Sequence, residues 1–434
     1  MEDTAVEEAE VSGAAEFAPA LVAAHPFGHS VAVAVGPDLR VFDLQGGCAV
    51  SLSDDSGGPA HSDAIRAITF GAGGDLFASA GDDKLVKVWK TGPWRCIRTI
   101  TSEKRVSAVA FSNDGLYVAF ADKFGVVWLE AAGEDDEGHV SADSKPVSIF
   151  GHYCSIITSM KFSPDGRFIA TADRDFKIRV TLFPKNPMKG ATEIQSFCLG
   201  HTEFVSCIAF TRISGGSCFL LSGGGDSAVR LWDHINGCLL DTYDVRDNVG
   251  ELSEPNETED SNLAIGNICL TNNNSMVAVA IQSLNGLMLL ACDLVAKKLS
   301  FLKVIRTEKS YIPTSLASRC WEGLLWTVMG ASNMPNQSVS QLLTRVKIIP
   351  LAQKDVQASA GHDSAALDDT EVPHGEKLLL ALQGSLDGSK QEEVLAAVLA
   401  ALKVSMHKML VKKNYSEERR EQRKRGRNDK KIKN

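Results

Sequence analysis

The feature that most constrains the fold is a spaced polar pattern that occurs three times. In each copy a serine or threonine precedes an aspartate by four residues, and an apolar strand closes six residues after that aspartate. A histidine lies 22, 23 and 25 residues before the three aspartates. The sets are His61, Ser79, Asp83 and Trp89; His152, Thr171, Asp175 and Thr181; and His201, Ser222, Asp226 and Trp232. Such side chains can hydrogen-bond across a four-stranded antiparallel blade, and a buried polar chain of this kind fixes the strand register because every member must be satisfied. The set that ends in Thr181 lacks the indole, so its network is predicted to be truncated there.

The spacing of the innermost strands indicates a propeller. Four phenylalanines align these strands at separations of 41, 51 and 48 residues, within the period expected of propeller blades. They are Phe70, Phe111, Phe162 and Phe210. Weaker copies extend the pattern at residues 31–44, 267–294 and 316–349. The sequence therefore predicts an all-β fold, a β-propeller over residues 17–353 with seven blades, give or take one.

The segments that flank the predicted propeller have different compositions. Residues 1–16 form an acidic N-terminal segment, and residues 354–388 are predicted to be a linker. Residues 389–413 are predicted to form an amphipathic C-terminal α-helix, because a capping-box pattern precedes an apolar stripe. The stripe consists of Leu395, Leu399, Leu402, Met406 and Met409. It must pack on the propeller or on a partner, and burial within its own chain is the commoner outcome.

Charge is distributed unevenly along the chain. Residues 403–434 contain 13 Lys and Arg against 4 Asp and Glu, a net of 13 − 4 = +9, so the other residues carry −9 − 9 = −18. A basic tail over 414–434 on an acidic body suits nucleic-acid contact, nuclear import or both. A solvated chain end explains the composition equally well. The candidate cluster is Arg423, Lys424, Arg425 and Arg427.

Nothing in the sequence predicts catalysis, a metal site or a membrane span. The ten cysteines are scattered singly without a C-x-x-C pair, so we predict no metal. Glycine clusters lie inside blade hairpins, whereas a phosphate-binding loop must open a helix. No nucleophile elbow or zinc-protease motif occurs, so we predict no catalytic residue and no cofactor on this chain. No stretch has the length and apolar character of a membrane span.

One blade departs from the other two when the three sets are aligned at their aspartates. Four positions after the aspartate a cation is common to all three, as Lys87, Arg179 and Arg230. Only the blade with Asp175 also has cations one position before it and two positions after it, at Arg174 and Lys177. Nearby carboxylates such as Asp173 would neutralise the cluster in the simplest interpretation. The alternative is a docking point for an acidic patch on another protein.

These residues lie in a region that resembles a known family. The runs TADRDFKIRV at 171–180 and SFCLGHTEFV at 196–205 resemble the signature region of the WD-repeat non-catalytic subunit of the eukaryotic tRNA (guanine-N7-)-methyltransferase. The similarity is close over residues 151–233, and outside this range it reduces to generic blades. The resemblance makes the predicted propeller a WD-repeat propeller.

The resemblance also implies a function. The chain would form a heterodimer with a catalytic subunit that carries S-adenosylmethionine and methylates a guanine in the variable loop of tRNA. Arg174, Lys177 and Arg179 would face acidic residues of that subunit, and Asp175 would hold the turn that presents them. The tRNA would be bound through the complex, in the nucleus, and no membrane would be involved.

A second interpretation belongs to another functional class. A WD-repeat scaffold of a different nuclear assembly could recognise an acidic peptide on its top face, and this needs only the fold and the charge asymmetry. In that case the essential residues would lie on several blades around the central channel. An enzyme acting alone is disfavoured, because no catalytic constellation is present.

Overall fold

The coordinates are a computed structural model, which describes most of residues 17–351 and parts of the C-terminal region. Described residues are 17–54, 59–133, 145–152, 155–191, 193–212, 218–248, 263–271, 274–282, 284–308, 311–318, 323–332, 343–351, 372, 374–384, 398–402 and 406. Within them, 28 strands form seven four-stranded antiparallel sheets. The prediction of a seven-bladed propeller is confirmed.

The chain starts with the two-residue strand β1 (Ala18–Pro19) and then builds the blades in order. Blade 1 contains β2 (Leu21–Ala24), β3 (Ser30–Val35), β4 (Asp38–Asp43) and β5 (Cys48–Ala49). Blade 2 contains β6 (Ile65–Phe70), β7 (Leu76–Gly81), β8 (Leu85–Lys90) and β9 (Arg95–Thr101). Blade 3 contains β10 (Val106–Phe111), β11 (Tyr117–Asp122), β12 (Val126–Ala131) and β13 (Val147–Gly151). Blade 4 contains β14 (Ile157–Phe162), β15 (Phe168–Asp173), β16 (Lys177–Leu182) and β17 (Ile194–Leu199).

The remaining blades follow the same meander, with short 3₁₀ helices at Pro187–Lys189 and Val245–Asn248. Blade 5 contains β18 (Val205–Arg212), β19 (Cys218–Gly224), β20 (Ala228–Asp233) and β21 (Cys238–Asp244). Blade 6 contains β22 (Ile265–Leu270), β23 (Met276–Ile281), β24 (Gly286–Asp293) and β25 (Lys298–Arg306). Blade 7 contains β26 (Ser315–Ser318), β27 (Leu324–Ser332) and β28 (Leu343–Pro350), and β1 completes it.

The second strand of each blade is buried on both faces because neighbouring blades stack against it. Such a strand is expected to be almost continuously apolar rather than alternating. β3, with the sequence SVAVAV, and β23, with the sequence MVAVAI, are buried at every position. Seven apolar clusters fill the seven contacts between adjacent blades, including the contact between blades 7 and 1.

The ring is closed by the N-terminal strand. In β1, Ala18 pairs with Ser332 and Pro19 with Ala331, so the first strand of the chain joins the last blade. The Ala20 amide donates to the Gly330 carbonyl at 2.7 Å. Hydrogen bonds from Thr314 Oγ1 to the Ala20 carbonyl, at 2.7 Å, and from the Val22 amide to Ser315 Oγ, at 3.2 Å, join the same two parts of the chain.

A helix, α1 (Gly375–Gln383), covers the outer edge of blade 7. Its Leu378, Leu379 and Leu382 enter the apolar cluster between blades 7 and 1. The Gln383 side chain accepts a hydrogen bond of 2.9 Å from the amide of Val346, a residue of the edge strand β28. Because an uncovered edge strand leaves backbone groups unpaired, α1 takes the place that a fourth outer strand would occupy.

The position of α1 corrects the prediction of a linker over residues 354–388. The segment GEKLLLALQG has leucines three and four residues apart, the spacing of one helical face, and a glycine directly after it. Arg40 Nη1 donates to Thr344 Oγ1 at 3.0 Å and to the Leu382 carbonyl at 3.1 Å, so blade 1, blade 7 and α1 are linked by one side chain. Residues 375–383 are therefore part of the propeller's packed body.

The predicted terminal helix packs on the propeller where it is described. Residues 398–402 and 406 are helical, and Val398, Leu402 and Met406 are buried. They share a cluster with Phe17 of the N-terminal segment and with residues of blade 7. Leu395 and Met409 lie outside the described residues, as do residues 1–16 and the tail 414–434.

We expect α1 to be required for the stability of the closed ring. Leu382→Ala should lower the free energy of unfolding by about 2–5 kcal/mol, because a fully buried leucine leaves a cavity between blades 7 and 1. The matched control is Leu380→Ala on the same helix, where the leucine is 54% exposed and the change should stay within about 0.5 kcal/mol. Denaturant unfolding measures both, and equal losses would contradict the packing role of α1.

Candidate functional site

Blades 2 and 5 contain the polar chains that the sequence pattern predicts. Trp232 Nε1 donates to Ser222 Oγ at 2.8 Å, Ser222 Oγ lies 2.7 Å from His201 Nε2, and His201 Nδ1 lies 2.9 Å from Asp226. The matching distances in blade 2 are 3.0 Å for Trp89 to Ser79, 2.8 Å for Ser79 to His61 and 2.7 Å for His61 to Asp83. Each chain runs from an indole donor to a carboxylate, with every member satisfied by its neighbour. The structure thus brings these eight residues together in the order that the sequence pattern predicts.

Burial and hydrogen bonding set the ionisation of the blade 5 chain. Burial opposes the ionisation of Asp226, but hydrogen bonds and charge from His201, the Thr202 amide and Arg230 outweigh it and lower the Asp226 pKa to about 2. Burial lowers the pKa of His201, although the hydrogen bond that it donates to Asp226 acts in the opposite direction. The pair therefore holds a carboxylate and a neutral imidazole, which donates from Nδ1 and accepts the Ser222 hydroxyl at Nε2.

Blade 4 uses a different aspartate from the one that the pattern predicts. His152 Nδ1 lies 2.8 Å from Asp173 Oδ2, and its Nε2 lies 2.7 Å from Thr171 Oγ1. The role assigned to Asp175 is therefore wrong, because Asp173 fills it. The reason lies in the strand register: Asp173 pairs with Ile157 where blades 2 and 5 have Gly81 and Gly224. Where this position is glycine, the histidine binds the carboxylate of an aspartate two residues further along the chain. Where the position is aspartate, its own side chain binds the histidine.

Asp173 also builds the turn over residues 173–177. Its Oδ1 accepts hydrogen bonds from the amides of Asp175, at 2.8 Å, and Lys177, at 3.1 Å. Phe176 occupies the left-handed region at φ 70° and is 41% exposed. Arg174 is partly exposed and Lys177 is exposed. The buried Asp173 carboxylate thus fixes the backbone that carries the two cations. Its oxygens bind groups within the blade, namely His152 and the two turn amides.

Blade 3 has the same type of turn, which the sequence reasoning missed. Asp122 Oδ1 accepts from the amides of Phe124, at 2.8 Å, and Val126, at 3.1 Å, and its Oδ2 accepts from Trp128 Nε1 at 2.9 Å. The sequence signal is Asp122, six residues before Trp128. The repeat pattern did not include this pair because the pattern also requires a Ser or Thr and a His.

Arg179 is engaged within the propeller rather than pointing outward. Its guanidinium lies 4.6 Å from the centre of the Phe150 ring and donates to Thr181 Oγ1 and the Gly151 carbonyl, each at 3.1 Å. Burial lowers the pKa of this guanidinium. Thr181 stands where blades 2 and 5 have tryptophan, so the network is truncated as predicted and Arg179 uses the hydroxyl.

The two residues equivalent to Arg179 are neutralised by carboxylates. Lys87 pairs with Asp54, and Arg230 pairs with Asp226 at 2.6 Å. Among the residues that the structure describes, Arg179 has no such ion pair. Arg179 therefore keeps an uncompensated charge next to Arg174 and Lys177, although its donors are used by neutral groups of the blade.

Three further predictions concern the basic cluster of the tail, a metal site and a membrane span. Arg423, Lys424, Arg425 and Arg427 lie outside the described residues. Within the described ranges, no group of three His, Cys, Asp or Glu is arranged to hold a metal ion. None of the helices that are described is long and apolar enough to span a membrane.

Two family comparisons agree with this geometry. Residues 130–329, which include the 173–177 turn, match the family described as tRNA methyltransferase TRM82 WD40 domain. Residues 57–90, which hold most of blade 2, match the WD domain, G-beta repeat. The resemblance inferred from residues 171–180 and 196–205 is confirmed.

Curated relatives carry the corresponding description. The tRNA (guanine-N(7)-)-methyltransferase non-catalytic subunit WDR4 of Homo sapiens is 38% identical over 185 residues, which is 41% of this chain and 40% of that protein. The subunit of the same name from Dictyostelium discoideum is 30% identical over 226 residues, covering 49% of this chain and 46% of that protein. In Xenopus laevis the identity is 31% over 278 residues, or 63% of this chain and 64% of the relative. The chain thus spans about half the length of these relatives.

Solved structures show the fold alone. The RRP9 WD40 repeats superimpose with a TM-score of 0.60 at 19% identity, covering 77% of this chain and 95% of that one. U3-55K gives a TM-score of 0.59 at 18% identity, covering 77% of this chain and 96% of that one.

The reassignment from Asp175 to Asp173 predicts unequal effects of two similar substitutions. Asp173→Ala should lower the free energy of unfolding by about 2–4 kcal/mol, because the His152 imidazole and two turn amides lose their acceptor. Asp175→Ala should cost less than about 1 kcal/mol, since its carboxylate lies outside the His152 chain. Denaturant unfolding distinguishes them, and a larger loss for Asp175→Ala would restore the original assignment.

The lowered pKa of Asp226 predicts a pH dependence with a defined sign. Because its folded-state pKa of about 2 lies below the ordinary value of 3.8, Asp226 stabilises the fold above about pH 4 and loses this contribution as pH falls towards 2. The full contribution is roughly 2 kcal/mol. Unfolding of wild type and Asp226→Asn, measured from pH 7 to pH 3, should give a difference that shrinks below pH 4. A difference that is constant over this range would rule out the ionised pair.

Proposed function

We propose that this chain is the non-catalytic subunit of a tRNA (guanine-N7-)-methyltransferase and that it docks its catalytic partner at the 173–177 turn. The observation that carries the proposal is a pair of cations, the partly exposed Arg174 and the exposed Lys177, on a turn fixed by the buried Asp173 carboxylate. The match of residues 130–329 to the TRM82 WD40 domain family supports it. The descriptions of the human and Dictyostelium relatives support it as well.

The geometry suits an electrostatic docking site. A rigid turn places its charges without first having to be ordered, so less conformational freedom is lost on binding. Two cations at the surface steer a partner that carries carboxylates and set its orientation. Arg179 extends the positive region towards Phe150 of blade 3, where its guanidinium is held over the aromatic ring.

The division of labour between subunits follows from the proposal. S-adenosylmethionine would be held by the catalytic subunit, and this chain would contribute no catalytic residue and no cofactor. The chain would keep its partner in a competent conformation for methylation of the variable-loop guanine of tRNA. The basic tail at Arg423–Arg427 would add phosphate contacts or direct the complex to the nucleus.

Charge reversal tests the docking site. Arg174→Glu/Lys177→Glu should slow association with the catalytic subunit by about tenfold at low ionic strength, because attraction to carboxylates becomes repulsion. The loss should shrink as salt screens the charges. Surface plasmon resonance gives the association rates, and methyl transfer from labelled S-adenosylmethionine to tRNA gives the activity of the reconstituted complex.

The controls separate docking from folding and from general electrostatics. Lys297→Glu/Lys298→Glu makes the same charge change on exposed residues of blade 6 and should leave association nearly unchanged. Both variants should unfold within about 0.5 kcal/mol of wild type. If the wild-type chain neither binds nor activates the catalytic subunit, the proposed function is wrong. If the chain then co-purified with an unrelated nuclear assembly and bound an acidic peptide of that assembly, the scaffold interpretation would be supported. Methylation of tRNA by this chain alone would contradict both.

A further inference from the structure

The outer strand of blade 4 displays a row of apolar side chains to solvent. In β17, Ile194 is 42% exposed, Phe197 is 43% exposed and Leu199 is 61% exposed. Single exposed apolar residues are common on protein surfaces and need no explanation. Three of them on one six-residue strand form a continuous surface instead, and such patches commonly mark an interaction site.

The strand register places this row beside the proposed docking cations. Leu199 pairs directly with Lys177, Phe197 pairs with Arg179, and Ile194 pairs with Thr181 beyond a bulge. Directly paired residues of an antiparallel sheet project from the same face, with their Cβ atoms about 5 Å apart. The three apolar side chains therefore share one face of blade 4 with Lys177 and Arg179.

The opposite face of β17 is occupied by contacts with blade 5. Gln195 Nε2 donates to the Ile235 carbonyl at 3.2 Å, and Ser196 donates its hydroxyl to the His234 carbonyl. The apolar face looks the other way, towards blade 3, because Arg179 on the same face stacks on Phe150 and donates to the Gly151 carbonyl. One side of β17 is thus anchored against blade 5, and the other displays its exposed apolar residues on the side of blade 3.

We propose that Ile194, Phe197 and Leu199 form an apolar docking surface for the methyltransferase catalytic subunit, continuous with Arg174 and Lys177. The matching surface of the partner would present apolar side chains flanked by carboxylates. This inference rests on the proposed function and adds the part of the interface that supplies most of the affinity.

The chemistry of the patch favours a protein over a nucleic acid. Bases stack on aromatic rings and phosphates pair with cations, but Ile194 and Leu199 offer aliphatic surface that a polyanion would leave uncovered. A protein interface needs what this face provides, namely a central apolar area with charges at its margin. Burial of the apolar row slows dissociation, whereas the cations speed up association.

Two substitutions on the strand test the surface. Phe197→Ser/Leu199→Ser should weaken binding to the catalytic subunit by about tenfold or more, because large side chains near the centre of an interface carry most of the binding energy. The weakening should appear as faster dissociation and persist at high salt. The loss in Arg174→Glu/Lys177→Glu, by contrast, should shrink as salt is added.

A matched control is available on another part of the propeller. Leu116 is 60% exposed, almost the same as Leu199, and lies in the turn that joins β10 and β11 at the end of blade 3 away from the 122–126 turn. Leu116→Ser should leave the dissociation rate unchanged. Thermal unfolding of all variants should match wild type, which excludes a general loss of structure.

The possible outcomes separate this inference from the proposed function. If wild type binds the catalytic subunit and Phe197→Ser/Leu199→Ser binds it equally well, the apolar surface is not part of the interface although the proposed function stands. If the double variant keeps protein binding but loses tRNA binding by the complex, the occupant is RNA and the inference is overturned. A wild-type homodimer that the double variant abolishes would assign the surface to a second copy of this chain and would likewise overturn it.

Discussion

The fold depends on closure of a ring whose blades are buried only by their neighbours. A single blade has two apolar faces and cannot shield either by itself, so each of the seven inter-blade clusters needs the next blade in place. The contact between blades 7 and 1 is where this dependence is most acute, because it joins strands from opposite ends of the propeller sequence. β1, α1 and the side chain of Arg40 provide three separate links across it.

The choice of residue at one position in the second strand decides what each blade presents to solvent. Where positions 81 and 224 are glycine, the histidine hydrogen-bonds to an aspartate two residues further along the turn. Aspartate at positions 122 and 173 keeps the carboxylate inside and ties down the following turn amides. In blade 4 this arrangement fixes the backbone of the turn that carries Arg174 and Lys177. The aspartate that replaces glycine inside the blade therefore determines how the two cations are held at the surface.

Sequence reasoning was most successful where spacing reflects geometry. The distances between His, Ser and Asp predicted two complete hydrogen-bond chains, and the phenylalanine spacing together with the weaker copies at both ends predicted the seven blades. It failed at Asp173 because two aspartates lie two residues apart, and only the strand register shows which of them faces His152. The leucine pattern of α1 was detectable, but its contact with β28 required knowledge that β28 is the outermost of the described strands of blade 7. The exposure of Phe197 and Leu199 was beyond prediction, since alternation alone does not say which face of an outer strand a neighbouring blade covers.

The pairing of β1 with blade 7 has a consequence for the order of events during synthesis. Ala20 accepts its hydrogen bond from Thr314, a residue 294 positions later, so the start of the propeller leaves the ribosome long before its partner exists. At about 5–20 residues per second this interval lasts roughly 15–60 s. Blades 2 to 6 are built from consecutive strands and can form as they emerge, whereas the N-terminal strand must wait with an unpaired edge. The nascent chain therefore has an unpaired strand edge near its beginning until blade 7 has been made. α1 is made later than every strand of the propeller and covers this same junction between blades 7 and 1.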